Sequence, residues 1–487
     1  MTETAYEADP RRWRALAVTL VVGFMSLLDV TIVNVALPSI QHSLDASPQS
    51  VQWVISGYAL TFGLVLVAGG RLGDLVGRRR MFLIGLVGFT LTSAVAGAAP
   101  SAGLLVTARL LQGVAAGMLT PQNTGLIQDL FRGDERGRAF GWFGTTVGVS
   151  AATGPILGGL LISLFGEEHG WRVVFLVNVP IGLVAMVLAA RLIPRRGPGR
   201  GALRREVDPV GALLLASAVL CVLFPLVRSM SHPATLWWLL VPLAPVAGVL
   251  FARWESRVIA RGRSPLLDVR LVRTAPGFAT GIALQTVYFC GFSGLWLVLA
   301  LFFQDGLGYT PLQSGLAVTP FAIGSAVTAV LAGRLVGRWG RRLTVGGLVL
   351  VAVGFTGLLL TIAAPDHTAL ATAVPLLVAG VGSGAVISPN VTMTLTHVPP
   401  TMGGAAGGAI QTGARVGSAV GAAVLAAAFR ITLGGAAYAD AARVAFGCAI
   451  GFVLVALTLA TLELRQQRRT ERAEVDGDAQ QISTPHG

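Results

Sequence analysis

Gly70-Arg71-Leu72-Gly73-Asp74-Leu75-Val76-Gly77-Arg78-Arg79-Arg80 sets three glycines, one carboxylate and four arginines between two apolar runs, 51–70 and 81–99. Glycine tolerates the backbone of a tight turn, so the stretch reads as a short connection between two helices. Asp74 falls at a helix end, where it can face arginine partners and the positive N-terminus of another helix. Each flanking run holds about 20 residues, the length that crosses a hydrocarbon core of about 30 Å. A charged hairpin between two such runs makes this a membrane-spanning chain.

The pattern repeats outward. Apolar runs recur at about 15–37, 51–70, 81–99, 102–128, 139–163, 172–192, 208–228, 235–252, 277–303, 312–333, 343–363, 369–393, 404–430 and 442–463, fourteen in all. Basic clusters occupy alternate connections: Arg11 to Arg14 before the first run, then 71–80, 132–138, 191–205, 253–273, 334–342 and 465–472. They hold 30 of the 36 basic residues. The positive-inside rule makes that side cytoplasmic, and both termini with it. Since 191–205 and 253–273 must share a side, 208–228 and 235–252 form a hairpin between two groups of six. The expected class is an all-α polytopic membrane protein of fourteen transmembrane helices. It divides into a cytoplasmic N-terminus 1–14, a six-helix half 15–192, basic linkers with two inserted helices 193–276, a second six-helix half 277–463 and a tail 464–487. The tail is polar and charged and is expected to be disordered.

Composition agrees. Hydrophobic residues make up 54% of the 487 and charged ones only 12%, with mean hydropathy +0.72; a soluble domain is about 25% charged. Glycine, at 62 residues, suits close approach of helices in lipid. The net charge of +13 is accounted for by the one-sided arginines, so nucleic acid is not an expected partner. The chain has no lysine, which excludes a GxxxxGK[ST] phosphate loop, and hence an ATPase within this chain, and also a Schiff-base mechanism. Cys221, Cys290 and Cys448 lie in apolar runs and read as buried hydrophobes without a disulfide framework. No HExxH or paired CxxC pattern occurs, so no metal site is expected. Pro10-Arg11-Arg12-Trp13-Arg14 has the look of a twin-arginine export signal, but the following run reaches Pro38 without a small-residue cleavage site and fits a first span better.

One acid lies well inside an apolar run: Asp29, in Leu28-Asp29-Val30-Thr31-Ile32-Val33-Asn34-Val35-Ala36-Leu37-Pro38. A charge in hydrocarbon costs several kcal/mol unless paired, hydrated or neutralised, so an intramembrane acid is a candidate functional group. Proton exchange is one reading; capping a local backbone break, or pairing silently with Arg109, is the other. No acid is evident in the last six runs; Asp305 and Asp366 fall at or near their ends.

Several motifs together carry a resemblance. The 70–80 stretch resembles motif A of the major facilitator superfamily, GxLxDxxGRR, and Gly333-Arg334-Leu335-Val336-Gly337-Arg338-Trp339-Gly340-Arg341-Arg342 is a worn echo of it, with Gly337 where the Asp would stand. Arg109-Leu110-Leu111-Gln112-Gly113 resembles motif B, whose buried Arg is implicated in proton coupling. Gly148-Val149-Ser150-Ala151-Ala152-Thr153-Gly154-Pro155-Ile156-Leu157-Gly158-Gly159 resembles motif C, the antiporter motif. The Asp29 segment, and Trp171-Arg172-Val173-Val174-Phe175-Leu176-Val177-Asn178-Val179-Pro180-Ile181-Gly182, look like signatures of the fourteen-helix drug:proton antiporter family.

The resemblance implies two homologous six-helix halves rocking about a central cavity, and efflux of a lipophilic drug or antibiotic in exchange for protons. Asp29 and Arg109 would couple the proton; Gly70, Asp74, Gly77, Arg78 and Arg79 would form the conformational switch; Gly148, Gly154, Pro155, Gly158 and Gly159 the antiporter element. Asn34, Gln112, Gln285, Trp296, Gln411 and Arg415 are polar or aromatic residues within runs and candidate cavity linings. The expected substrate is monocationic, zwitterionic or neutral, since no second acid is in view. Expected partners are that substrate and membrane lipids, with protons as coupling ion, no cofactor, and a monomeric chain in the cytoplasmic membrane. Export of a lipid-linked metabolite, or proton-coupled nutrient uptake, would use the same fold. Gly291-Phe292-Ser293-Gly294 matches the GxSG of rhomboid proteases, but the six histidines lie at run ends or outside the runs, leaving no dyad partner and no enzyme expected.

Overall fold

Glycine sets the corners of this chain and long apolar helices fill the space between. The computed structural model describes residues 9–195, 208–229, 236–363, 369–434 and 437–483. Arg196, Arg200, Arg204, Arg205 and Asp366 lie outside the described residues.

The first half comprises α1 (Arg12–Ser43), α2 (Pro48–Val76), α3 (Arg78–Gly97), α4 (Ala102–Leu130), α5 (Gly133–Leu176) and α6 (Asn178–Leu192). Ser47 caps α2 by accepting from the Ser50 amide at 3.2 Å, with Pro48 at the first helical position. Gly77, at φ 104°, makes the corner into α3, a backbone that side chains rarely adopt. The apolar stretch Thr153–Leu192 runs 40 residues, about 60 Å as a straight helix and twice the hydrocarbon thickness. Gly166, at φ 74° and ψ 166°, breaks it. Gly170 then packs back so closely that a Cβ there would lie 2.7 Å from the Cα of Ile162. Thirteen helical stretches among the described residues are long and apolar enough to span; this hairpin divides one of them and restores the expected fourteen.

Two inserted helices follow, α7 (Pro209–Ser229) and α8 (Leu243–Ala260). The second starts later than its apolar run, because Leu236–Leu240 forms a 3-10 turn and Pro242 precedes the helix. The second half comprises α9 (Phe278–Leu301), α10 (Thr319–Trp339), α11 (Arg341–Ala363), α12 (Ala369–Thr394), α13 (Gly403–Leu433) and α14 (Tyr438–Ser483). Here too a glycine, Gly340 at φ 49°, makes the corner into α11. α14 runs on to Ser483 where polarity suggested disorder from 464; Glu, Arg, Gln and Ala are good helix formers.

The halves meet along two crossings, α2 with α13 and α5 with α10. One apolar core is shared between them at the Arg-rich end, where Phe131, Leu130 and Ile127 of the first half pack with Leu395, Val398 and Ala406 of the second. The inserted α7 lies against α2 and α13, outside the six-plus-six bundle.

Candidate functional site

α1 carries Asp29 to a fully buried position inside the first half. Arg109 of α4 donates to Asp29 Oδ2 at 2.5 Å, and Gln112, one turn further, donates to Oδ1 at 3.2 Å. Asn178, the first residue of α6, donates to the same oxygen at 3.1 Å and to Ser93 Oγ of α3 at 3.0 Å. Arg109 also donates to the Val54 carbonyl at 3.0 Å and to Gln112 Oε1 at 2.8 Å. Its guanidinium lies 4.1 Å from the Tyr58 ring centroid. Five helices thus close around one ion pair. Such a pair is held only while both charges remain; neutralising one strands the other in low dielectric.

At the Arg-rich end Asp74 reaches across to the other half. It accepts from the Gly404 and Ala405 amides at 3.0 Å each, so it caps the N-terminus of α13. Arg78 donates to Asp74 at 2.9 Å and pairs with Asp129 of α4 at 2.9 Å. Arg78 also donates to the Pro400 carbonyl at 2.5 Å and to the Gly125 carbonyl. Arg79 donates to the Ala190 carbonyl at the end of α6. A Cβ at Gly70 would overlap the Gly404 carbonyl oxygen, so that glycine is what lets α2 and α13 touch.

α5 joins the halves through its small residues. Gly148 lies against α10, where a Cβ would be 2.7 Å from Ser325 Oγ. Gly154 and Gly158 lie against α1, beside Thr31 and Ile32, and Thr31 Oγ1 donates to the Ser150 carbonyl at 3.3 Å. Beyond the Pro155 position, Gly159 faces Leu312 and Pro155 faces Gly315, in the short helix Pro311–Ala317 that precedes α10.

Between the halves remains a cavity of about 30 Å³ lined by Ser26, Thr120, Asn123, Gln285, Phe289, Gln411 and Arg415, among others. That admits a water or two, against about 300–1,000 Å³ for ligand pockets. A drug-sized ligand therefore requires the halves to part. Of the six cavity candidates, Gln285, Gln411 and Arg415 line this space. Gln112 binds Asp29 instead. Asn34 is on the exposed surface of α1, its amide directed at the Val30 carbonyl at 3.4 Å. Trp296 packs edge-on against Phe292 and Phe321 inside the second half.

The Major Facilitator Superfamily profile matches residues 19–422 and again 281–482. The chain belongs to the major facilitator superfamily. A probable actinorhodin transporter of Streptomyces coelicolor is 39% identical over 406 residues, covering 82% of this chain and 69% of that one. The puromycin resistance protein of Streptomyces alboniger is 36% identical, covering 97% and 94%. A multidrug efflux pump of Mycolicibacterium smegmatis is 34% identical, covering 84% and 79%. The fold is also that of the human organic anion transporter MFSD10, with a TM-score of 0.68 at 16% identity, covering 93% of this chain and all of that one. It is likewise that of the proton:xylose symporter XylE, at 0.64 and 15%, covering 93% and 95%. This chain is a multi-pass membrane transporter of that superfamily.

Against the superfamily motifs, two groups escaped the sequence reading. Asn178 and Ser93 complete the Asp29 shell, though only the segment around Asn178 stood out. Glu463 corrects the expectation that the last six spans hold no acid: it is 4% exposed and pairs with Arg341 at 2.7 Å. Arg341 also donates to Asn390 Oδ1 at 2.6 Å, and Asn390 donates to Gln285 Oε1 at 2.8 Å. The acid stands at the margin of its apolar run, where primary structure does not show whether it is buried.

Proposed function

We propose that this transporter exports a lipophilic small molecule across the cytoplasmic membrane in exchange for protons, with both termini cytoplasmic. The observation that carries the reading is the Asp29 shell: a wholly buried acid whose charge is held by Arg109 and the side-chain amides of Gln112 and Asn178, set apart from the central cavity. A proton arriving at Asp29 changes the net charge of that shell by one, and Arg109 must then find other acceptors. States that pack the shell differently bind the proton with different affinity, which is the condition for a proton to shift a conformational equilibrium. Tyr58 lies between the two sites. Its ring supports Arg109, and its hydroxyl donates to the carbonyl of Ser26, a cavity residue, at 3.3 Å. The substrate would occupy the central cavity when the halves part, and the relatives named for drug efflux and antibiotic resistance support that class of cargo. In this reading the proton is the only coupling ion, no cofactor or catalytic step is involved, and the functional unit is a monomer.

The test is transport in proteoliposomes under an imposed pH gradient, with anthraquinone-2-carboxylate, its carboxamide and ethidium as probes. Wild type is expected to move at least one probe against its gradient. Asp29→Asn, which keeps the shape and removes the titratable group, is expected to lose gradient-driven movement while still exchanging probe across the membrane. Equal gradient-driven transport by both proteins would remove Asp29 from the coupling step.

A further inference from the structure

We infer that the central cavity is built for a lipophilic organic anion, with Arg415 as its counter-charge; this rests on the efflux reading and specifies its cargo. Arg415 projects from α13 into the cavity and makes no hydrogen bond or ion pair among the described residues; its Nε is buried without an acceptor. Only the face of its guanidinium is supported, by the Phe62 ring at 4.4 Å. Arginine stays protonated at any physiological pH. A permanent charge half-buried at a cavity between the halves, without a hydrogen-bond or ion-pair partner among the described residues, is a desolvation loss that ring stacking does not offset.

The acids that could have answered it are engaged elsewhere. Asp29 is bound by Arg109, Glu463 by Arg341 and Asp74 by Arg78. No carboxylate lines the cavity. On the same cavity as Arg415, Asn123 is fully buried with both its amide nitrogen and its oxygen unpartnered, and Thr120 Oγ1 is also unpartnered. Buried polar groups of this kind are normally satisfied, so three neighbouring orphans in one cavity mark a place for ligand atoms. The planar guanidinium fork matches a carboxylate or another anion with charge spread over two oxygens. Phe289, Phe143 and Val147 supply the apolar walls, so the anion should be carried on an aromatic or otherwise apolar body. An anion lies outside the expectation of a monocationic, zwitterionic or neutral cargo, which rested on the absence of a second acid and took no account of an unpaired base.

The experiment is equilibrium binding to the full chain in lipid nanodiscs, with the same three probes. Wild type is expected to bind anthraquinone-2-carboxylate at least tenfold more tightly than the carboxamide, and ethidium is expected not to compete. Arg415→Gln should erase that preference, and Arg415→Lys should keep part of it, since it retains the charge without the fork. Carboxamide binding as tight as carboxylate binding in wild type would overturn the inference, whether or not the variants fold. So would a preference that survives in Arg415→Gln, or failure of all three probes to bind. The two readings separate cleanly. Asp29-dependent transport of ethidium or the carboxamide, without an acid preference, would sink the anion site and leave proton-driven efflux standing. An Arg415-dependent acid preference without gradient-driven transport would do the reverse.

Discussion

At the Arg-rich end α2 crosses α13 and α5 crosses α10, and the two crossings share a plan but differ in chemistry. In both, glycine lets backbones touch: Gly70 meets Gly404, and a Cβ at Gly333 would lie 2.5 Å from the Gly137 carbonyl oxygen. In both, a glycine at positive φ starts the next helix, Gly77 before Arg78 and Gly340 before Arg341. Only the first crossing has Asp74, which caps a helix of the opposite half and binds Arg78. At the second, Gly337 stands in its place, Asp134 of α5 fills the space beside it, and Arg341 turns inward to Glu463 of its own half. One crossing is therefore held by charge and one by packing. A charge lock can be released all at once by a change at its partners, whereas packed glycines slide, so the first is the better place for a switch.

Three substitutions at these crossings would break or sharpen the contrast. The largest effect should come from Gly70→Val, because even a Cβ there overlaps the Gly404 carbonyl and backbones in such contact have no room to yield. The Arg-rich end should fail to close. Spin labels at the exposed positions 80 and 401 should report only the longer of two distances, and transport should fall at least a hundredfold.

Asp74→Asn comes next. It keeps one acceptor but removes the charge that two amides and Arg78 share, and hydrogen bonds to charged groups are worth about 1.5–3 kcal/mol. The closed population at labels 80 and 401 should drop by roughly 10–150-fold relative to open. An unchanged distance distribution would mean that the first crossing, like the second, is held by packing alone.

Gly337→Asp tests the converse at smaller scale. The added carboxylate meets Asp134, and like charges at an exposed site cost up to about 1 kcal/mol, so transport should slow by a few-fold. Gly337→Asp combined with Asp134→Asn should recover it, since the repulsion is gone and the new acid can cap α5. Labels at 138 and 338 would read the crossing directly. No recovery in the double variant would show that the space at Gly337, and not the charge beside it, is what matters.

How much of this was legible before the fold follows from the same residues. Asp74, Gly70 and Gly77 declare themselves because their neighbours in sequence are their neighbours in function: a turn, a helix end and a run of arginines. Asp29 declares itself because an acid in an apolar run is rare on solvation grounds alone. The partners are another matter. Arg341 and Glu463 are 122 residues apart, and Asn178 and Asp29 are 149 apart; nothing local marks either pair. Arg415 was visible as a polar residue in a span, but its lack of a partner is a property of the whole packing. Chain corners were legible where glycine sits beside charges, as at Gly77 before its arginines and at Gly166 before Glu167 and Glu168, between the runs 139–163 and 172–192.

The smallest effect belongs to an ion pair that looks like the others and belongs to neither crossing. Arg12, at the start of α1, binds Glu135, at the start of α5, through two hydrogen bonds of 2.8 and 3.0 Å. The pair lies within the first half and is partly open to water, with 19% and 36% side-chain exposure, so it should contribute no more than about 1 kcal/mol. The hydrogen bond from Arg12 holds the Glu135 carboxyl below its ordinary range. A lowered carboxylate value means stability present above the unfolded value, about 4.3, and lost as the pH falls through the lower, folded value. Glu135→Gln should therefore lower the melting temperature by a degree or two at neutral pH and by nothing once the carboxyl is protonated in both states. Transport should be unchanged at neutral pH, because the pair joins helices that move together. A transport defect as large as that of Asp74→Asn would mean that α1 and α5 also move against each other, and that the boundary between moving bodies does not follow the boundary between the halves.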